Sequence, residues 1–312
     1  MRIVFMGTPE FAVPSLEKLC GAGYDVVGVF TQPDRPRGRG KKLMPSPVKE
    51  TAQKHGIPVF QPEKIRRDGV EDLKALQPDL CVTAAFGQIL SQEILDIPRI
   101  GTVNVHASLL PRHRGSAPIA WAILQGDREI GVTTMMTDRG IDTGDMLLKK
   151  SIPLESTWTC GEATEVLSRL GAELLLETVK GLTDGTVTRI PQDEREMTYD
   201  PMLNKDMGEI DWEASPEEIR NRIHAMNPWP GCSVPYEGGR LKLLRARVGD
   251  TPGACGTVTV ADPKKGLQIG CRGGSVEILQ LQAPGGKPMQ AKDFLRGHSL
   301  ETGRKLSGDE GI

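Results

Sequence analysis

Strand-like and helix-like segments alternate over the first 190 or so residues of this 312-residue chain, and this alternation restricts the fold most strongly. The run RIVFMG at 2–7 is almost continuously apolar, as a buried parallel strand requires. Thr8 and Pro9 then form a favourable N-cap and first turn for a helix. Further strand-like runs lie at 25–32, 79–87, 101–108 and 130–138, and a return strand is expected at 145–154. The pattern predicts an α/β domain with a Rossmann-like, doubly wound parallel sheet whose edge is mixed.

The character of the chain changes after Ile190. The next stretch is polar and contains two prolines, which is typical of a linker. From Gly238 onward, short alternating runs are separated by glycine-rich turns, which indicates a small β-barrel, with the OB type as one candidate. We therefore predict a catalytic domain at 1–189, a linker at 190–209 and a smaller OB-like domain at 210–312.

Composition narrows the class of protein. The net charge of −2 and the hydrophobic fraction of 38% describe a globular chain and exclude a generally basic nucleic-acid coat. Six cysteines occur without any Cys-x-x-Cys pair, so neither a zinc knuckle nor a redox pair is expected. No run approaches the roughly 18 apolar residues of a membrane helix, and the N-terminus lacks a signal-peptide pattern. We expect a cytoplasmic monomer without a membrane partner.

The segment QPDRPRGRGKKLMPSPVK at 32–49 holds six basic side chains and the single acid Asp34. Its prolines and glycines exclude a regular helix. It is much longer than the usual loop of about 2–6 residues at such a junction, and ligands bind at this edge of a parallel sheet. A basic loop there suits a polyanionic substrate, although a solvated surface loop has the same composition.

Asn104 and His106 share one face of the strand at 101–108, because side chains two residues apart point the same way. Both lie near its carboxyl end. An amide donor beside an imidazole can stabilise an oxyanion and move a proton. The alternative is a buried histidine bonded to a backbone carbonyl, beside an asparagine that forms a turn.

The turn TDRGIDTGDMLL at 137–148 presents Asp138, Asp142 and Asp145. Aspartates are common in turns, so these residues need no catalytic role. An acid close to His106 would fix the orientation of its ring. Spacing alone does not show whether any of them meets His106.

Several motifs together resemble the methionyl-tRNA formyltransferase family of folate-dependent formyltransferases. They are VFMGTPEF, VFTQPDRPRGRGKKLMPSPVK, VNVHASLLPRHRGSAPI, GIDTGDML, MTYDPMLNKDMGEIDW and NPWPG, in this order along the chain. The segment around Asn104 marks the wider superfamily. The basic loop and the second domain narrow the resemblance to the enzymes that act on tRNA.

The resemblance implies transfer of the formyl group of 10-formyltetrahydrofolate to the α-amine of initiator methionyl-tRNA. It implies catalytic roles for Asn104, His106 and Asp142, with no metal. The implied folate-binding residues are Phe86, Gly87, Gln88, Ile89, Leu90, Ser108, Leu109, Leu110 and Pro111. The implied tRNA-binding residues are Arg35, Arg37, Arg39, Lys41, Lys42 and Lys205.

Two positions depart from the pattern of the family. Met202 stands where many members have a lysine, and His113 replaces a more usual aromatic residue. The second of these is expected to be a conservative change. Two other functions remain to be compared: formylation of a small amine such as an amino sugar, and RNA binding without catalysis. The basic loop argues against the first, and the pattern of Asn104, His106 and Asp142 argues against the second.

Overall fold

The computed structural model describes residues 1–37 and 42–306, which divide into two compact units. The first comprises the described residues of Met1–Gly115, Ile130–Ile152 and Thr164–Asp200. The second comprises those of Ser116–Glu129, Pro153–Ala163 and Pro201–Ile312. Two short segments of the predicted catalytic domain thus group with the C-terminal part of the chain, and the predicted linker changes unit after Asp200.

The first unit is built on a sheet with the strand order β10-β9-β7-β6-β1-β2-β5. Strand bounds in this part of the chain are β1 Arg2–Gly7, β2 Asp25–Phe30, β3 Arg35–Arg37, β4 Lys42–Met44, β5 Val59–Phe60, β6 Leu80–Ala84, β7 Gly101–His106, β8 Arg114–Gly115, β9 Glu129–Met136, β10 Met146–Pro153 and β11 Tyr199–Asp200. Strands β5, β2, β1, β6 and β7 are parallel neighbours, whereas β9 runs antiparallel to β7. The predicted Rossmann-like sheet with a mixed edge is confirmed.

Strand β1 lies at the centre of this sheet. Ile3, Val4, Phe5 and Met6 are all fully buried, so the apolar run packs on both of its faces. This arrangement explains why the sequence of β1 shows no polar alternation. The carboxyl ends of β1, β6 and β7 consequently lie along one edge of the sheet, where the candidate site is found.

Helices connect the strands. Their bounds are α1 Val13–Gly21, α2 Pro47–Lys54, α3 Ile65–Asp68, α4 Val70–Leu76, α5 Gln92–Leu95, α6 Pro118–Gln125, α7 Cys160–Asp184, α8 Pro216–Ala225 and α9 Ala291–Gly297, with 3-10 turns at Glu10–Ala12 and Lys205–Gly208. Helix α8 begins with a capping box between Ser215 and Glu218. The predicted N-cap at Thr8 is wrong. Its hydroxyl donates instead to the carbonyl of Phe86 at 3.0 Å, and the first turn begins after Pro9 without a side-chain cap.

Within the predicted basic loop, strands β3 and β4 pair as an antiparallel hairpin, with Arg35 opposite Met44. At its base, the Nζ of Lys49 donates to Asp34 at 2.8 Å and to Gln61 at 2.7 Å. Hydrogen bonds from Lys49 and Gln61 hold the pKa of the Asp34 carboxyl below its usual value. Lys49, one of the six basic side chains, therefore holds the base of the loop in place.

The second unit contains a sheet of the order β12-β13-β16-β15-β14, with β17 paired to β16. Its strands are β12 Cys232–Tyr236, β13 Gly239–Val248, β14 Val258–Asp262, β15 Gly266–Cys271, β16 Gly274–Gln282 and β17 Met289–Gln290. Each of these neighbouring pairs is antiparallel. Alternate residues such as Leu241 and Leu243 of β13 are fully buried, as short alternating runs predict. The prediction of a strand-rich C-terminal domain is confirmed.

His224 of α8 is 3% exposed and its Nε2 accepts a hydrogen bond from the backbone amide of Ala246. Burial, reinforced by Arg220 and Arg245, lowers its pKa to about 4 from the ordinary value of 6.5. Between these values the unfolded chain binds the extra proton and the folded unit does not. Stability therefore falls as the pH decreases through this window.

We expect the free energy of unfolding of the second unit to fall by about 3 kcal/mol between pH 7 and pH 4 through His224. Urea unfolding at a series of pH values, monitored for the wild type and for His224→Gln, measures this contribution. The substitution removes the titrating group, so the curve of the variant should be flatter. An equally steep curve in both proteins would show that His224 is not its origin.

No helix within residues 1–37 and 42–306 combines the length and apolar character needed to cross a membrane.

Candidate active site

Asn104 and His106 lie on β7, at the carboxyl end of the strand. Val103 and Val105 point to the opposite face of the strand. They are 0% and 3% exposed and pack into the core. Asn104 is half-buried, and His106 is the last residue of the strand. The alternation predicted from the sequence therefore places the two polar side chains on one face at the edge of the sheet.

The orientation of the Asn104 amide is fixed by the neighbouring strand. Thr83 of β6 pairs in register with Asn104, and its hydroxyl donates to Asn104 Oδ1 at 2.9 Å. Because the amide oxygen is held by Thr83, the Nδ2 group faces away from that hydroxyl and can donate to another acceptor. Thr83 is 6% exposed, so water competes little for this hydrogen bond.

We expect Thr83→Val to lower kcat roughly 2–10-fold, because it removes one buried hydrogen bond and lets the Asn104 amide rotate. Steady-state kinetics with the substrates that the resemblance implies measure the effect. The control is Thr134→Val, which removes a buried hydroxyl from β9 that bonds to Thr178 at 2.7 Å. This variant should lose stability while keeping kcat. Equal values of kcat for both variants would argue against a role for Thr83 in orienting the amide.

His106 is held between two acceptors. Its Nε2 lies 2.8 Å from the carbonyl oxygen of His113, and its Nδ1 lies 3.6 Å from Asp142 Oδ1. A carbonyl oxygen only accepts hydrogen bonds, so Nε2 must carry a proton. Nδ1, on the side of Asp142, is then the nitrogen that can gain or lose a proton. The carbonyl bond expected of an ordinary buried histidine is present, and it directs the other nitrogen towards a carboxylate.

Asp142 approaches His106 from the turn between β9 and β10. Its backbone has a φ of +53°, and its Oδ2 accepts from the amide of Gly115 at 2.9 Å. Gly115 has a φ of +102°, and a Cβ there would lie 2.5 Å from the carbonyl of Asp200. Glycine is therefore required at 115 for the amide to reach the carboxylate. The structure brings Asn104, His106 and Asp142 to one edge of the sheet.

A further residue supports the Asp142 turn. The Nε2 of Gln192 donates to the carbonyls of Asp142 and Gly144, both at 2.8 Å, and its Oε1 accepts from Arg114 Nε at 2.9 Å. Arg114, only 3% exposed, also pairs with Glu194 at 2.8 Å. Gln192 lies in the stretch predicted as a linker, and its sequence context gives no signal of this contact.

The two other aspartates of the turn are placed differently. Asp138 Oδ1 accepts from the amide of Gly140 at 3.0 Å and from the hydroxyl of Thr143 at 2.7 Å, which is ordinary turn chemistry. Asp145 contributes its carbonyl oxygen, which accepts from the amide of Met136. Asp142 is the aspartate of this turn that lies beside His106 in the described ion pairs.

The residues predicted to bind folate fall into two segments beside this site. Phe86 and Leu110 belong to core clusters and are 4% and 0% exposed, so their side chains do not face a ligand. The side-chain amide of Gln88 accepts a hydrogen bond from the backbone amide of Ile65 and donates one to the carbonyl of Pro62. Ile89, by contrast, is 73% exposed. The remaining members, Gly87, Leu90, Ser108, Leu109 and Pro111, lie next to these residues in the chain.

The residues predicted to bind tRNA are only partly placed. Arg35 of β3 is exposed in the first unit, and Lys205 is exposed in the second. Arg37 and Lys42 lie opposite each other in the β3–β4 hairpin. Arg39 and Lys41 lie outside the described residues. Met202, the departure noted above, is 76% exposed.

Among residues 1–37 and 42–306, no three His, Cys, Asp or Glu side chains lie close enough together to hold a metal ion. The expectation that the reaction needs no metal stays a prediction.

Comparison with known proteins decides the family. The model of the family "Formyl transferase" matches residues 1–179, and that of "Formyl transferase, C-terminal domain" matches residues 202–299. The chain belongs to the formyl transferase family. It is 50% identical over 310 residues to the methionyl-tRNA formyltransferase of Trichlorobacter lovleyi, covering 99% of this chain and 98% of the relative. It is 45% identical over 310 residues to that of Ruminiclostridium cellulolyticum, covering 98% and 99%.

Solved structures of lower identity share the fold of this formyl transferase. One is an N-formyltransferase from Helicobacter canadensis in complex with folinic acid and dTDP-3-aminofucose, with a TM-score of 0.69 and 19% identity, covering 88% of this chain and 98% of that one. Another is HypX from Aquifex aeolicus in complex with tetrahydrofolic acid, with a TM-score of 0.64 and 19% identity. The match covers 97% of this chain, which spans about half the length of HypX.

Proposed function

We propose that this chain transfers the formyl group of 10-formyltetrahydrofolate to the α-amino group of initiator methionyl-tRNA. The observation that carries the proposal is the grouping of Asn104 and His106 with Asp142 at the carboxyl edge of the sheet. Relatives that are 45–50% identical over nearly the whole chain and bear the name methionyl-tRNA formyltransferase support the choice of acceptor. The product serves translation initiation, so we also propose that the reaction occurs in the cytoplasm.

The reaction begins with attack of the neutral amine on the formyl carbon. A new C–N bond forms, and the carbonyl electron pair moves onto oxygen to give a tetrahedral oxyanion. The Nδ2 group of Asn104 and the Nδ1–H of protonated His106 donate to this oxygen. Both donors are held in place beforehand, one by Thr83 and the other by the carbonyl of His113. Donors that need no reorganisation stabilise the transition state most effectively.

Collapse of the intermediate breaks the bond between the formyl carbon and N10 of the folate. The amine must lose a proton, and N10 must gain one as it leaves. Asp142, at 3.6 Å from the Nδ1 of His106, is placed to take part in this transfer. The proton count balances without a covalent intermediate on the protein.

The donor would bind against the two segments at 86–90 and 108–111. Ile89 offers an exposed apolar side chain, while the buried Phe86 and Leu110 fix the backbone of each segment. The hydroxyl of Ser108 donates to the carbonyl of Arg112 at 2.8 Å, which shapes the turn that follows β7. A flat pteridine ring with amide-like edges suits such a site, because backbone groups can bind its edge and apolar groups its faces.

The acceptor would be held by the basic residues of the 32–49 segment and by Lys205. The second unit adds little general attraction, since residues 210–312 contain 14 Lys and Arg against 12 Asp and Glu. Binding of tRNA therefore depends on local contacts with phosphates. Among the candidate phosphate contacts, the 32–49 segment holds the largest group of basic side chains.

We expect Arg39→Ala to raise the KM for methionyl-tRNA roughly tenfold while leaving the KM for the folate unchanged, because the lost contact is with the acceptor alone. Steady-state kinetics with each substrate varied in turn separate the two constants. A matching control is Arg67→Ala, which removes an exposed arginine paired with Asp68 on α3. Equal rises in both KM values for Arg39→Ala would contradict the assignment.

The substrate is tested by supplying purified protein with 10-formyltetrahydrofolate and one acceptor at a time. Methionyl-tRNA should be formylated, while free methionine and a nucleotide-linked amino sugar should not. Formylation of the amino sugar but not of methionyl-tRNA would replace the proposal with a small-amine formyltransferase. Binding of tRNA without any formyl transfer would favour a non-enzymatic RNA-binding protein.

A further inference from the structure

His113 and Asp200 form a buried pair that no step of the proposed reaction uses. His113 Nδ1 lies 2.8 Å from Asp200 Oδ2, and their side chains are 4% and 2% exposed. The sequence suggested a conservative replacement of an aromatic residue at 113. A phenylalanine ring has no polar donor, so the histidine makes a contact that phenylalanine cannot make.

The backbone of His113 is the direct neighbour of the candidate catalytic histidine. Its carbonyl oxygen accepts from His106 Nε2 at 2.8 Å, and this bond keeps a proton on Nε2. His113 has a φ of +62°, a left-handed conformation that a non-glycine residue keeps only when its surroundings hold it. The position of this carbonyl therefore depends on what holds residue 113.

Four contacts hold residues 113–115 against the segment that ends at Asp200. The amide of His113 donates to Thr198 Oγ1 at 2.7 Å, and the amide of Arg114 donates to the carbonyl of Thr198 at 3.0 Å. Strand β8 pairs with β11, which places Gly115 opposite Asp200. The side-chain pair of His113 and Asp200 is the fourth contact. It fixes the side chain of residue 113 as well as its backbone.

We infer that Asp200, acting through His113, is a positioning residue for His106. Its carboxylate holds the His113 ring, the ring holds the left-handed backbone at 113, and the carbonyl at 113 keeps the proton on His106 Nε2. Nδ1 then stays directed towards Asp142. The inference rests on the proposed function for the role of His106 in formyl transfer. Asp200 itself does not touch the reacting atoms.

This role differs from a purely structural one in what it predicts. A structural pair contributes to stability, and its loss lowers the folded fraction without changing the turnover of the molecules that remain folded. A positioning pair also sets the geometry of His106, so its loss lowers kcat per folded molecule. It leaves KM unchanged, because the substrate-binding groups stay in place.

The kinetic test compares Asp200→Ala with Asp200→Asn, which keeps an oxygen that accepts from His113 Nδ1. We expect Asp200→Ala to lower kcat per folded molecule about 10–100-fold with little change in either KM, and Asp200→Asn to recover most of this loss. The matched control is Glu17→Ala, which breaks an exposed pair with His55 at the same distance of 2.8 Å in the same unit. It should leave kcat unchanged. A wild-type kcat in folded Asp200→Ala, or no recovery in Asp200→Asn, would overturn the inference.

A second measurement reads His106 directly and needs no substrate. In ¹⁵N-histidine-labelled wild type, NMR should show neutral His106 with its proton on Nε2, the tautomer that donates to the carbonyl of His113. In Asp200→Ala, or in Asp200→Ser if the alanine variant does not fold, a population with the proton on Nδ1 alone should appear. Unchanged His106 resonances would overturn the inference. An inactive wild type would instead refute the proposed function, while the NMR result would still decide the role of Asp200.

Discussion

His106→Ala should lower kcat for formyl transfer about 10³-fold, with KM for both substrates nearly unchanged. The imidazole supplies a hydrogen bond to the oxyanion and takes part in proton transfer, and general acid–base groups of this kind contribute roughly 10²–10⁴-fold. The ring is only 7% exposed, so a water molecule that replaced it would lack the fixed position of Nδ1. Quenched-flow measurement of a single turnover, with labelled formyl donor, separates this loss from product release.

The matched control for this variant is His55→Ala. His55 is an exposed histidine of the same unit that also pairs with a carboxylate, Glu17, at 2.8 Å. Its removal should leave the single-turnover rate unchanged. If His106→Ala kept more than about a tenth of the wild-type rate, His106 would not be the acid–base group of the reaction.

Asn104→Ala should lower kcat about 10²–10³-fold, equivalent to roughly 2.7–4 kcal/mol, which is the usual cost of removing one oxyanion donor. The substitution removes the Nδ2 donor and leaves the hydroxyl of Thr83 without its partner. Circular dichroism of the variant should show an intact fold, because Asn104 is half-buried at the end of β7 and its valine neighbours carry the packing. The single-turnover rate measures the loss.

Asn104→Asp separates the donor from the volume of the side chain. The carboxylate has the size of the amide but cannot donate when ionised, so this variant should be as slow as Asn104→Ala. A nearly wild-type rate in Asn104→Asp would contradict the role of Asn104 as a donor. It would point instead to a role in packing or in holding Thr83.

The parts of the site that the sequence predicts are those that follow from local periodicity. Asn104 and His106 are two residues apart on an extended strand, so they share a face, and the glycines flanking Asp142 allow the tight turn that presents it. The central strand β1 was predicted at its observed bounds because its apolar run is continuous. Each of these inferences needs only neighbouring residues and the regular geometry of a strand.

The parts that the sequence does not predict depend on contacts between residues far apart in the chain. Thr83 orients Asn104 from 21 residues away, and Asp200 reaches His113 from 87 residues away. Gln192 contacts the Asp142 turn from within a stretch whose polar, proline-containing composition is typical of a linker. Such contacts depend on how the segment after β10 returns to the edge of the sheet. Nothing in the local pattern of residues 190–200 encodes that path.

The correction at Thr8 has the same cause. Threonine before a proline is a favourable N-cap by local rules, but the carbonyl of Phe86 competes for its hydroxyl. The carbonyl of Phe86 is within reach because β1 and β6 are parallel neighbours, so the segments that follow them leave the sheet at the same edge. A local preference of about 1 kcal/mol is easily exceeded by such a contact.

The central claim is that His106 and Asp142 act together on the transferred proton. The most direct test is the single-turnover rate of formyl transfer to methionyl-tRNA for His106→Ala, Asp142→Ala and the double variant. Residues that act as a unit show strongly non-additive losses. We therefore predict that the double variant is no slower than the slower single variant. Losses that multiply in the double variant would show that the two residues act independently and would contradict this account.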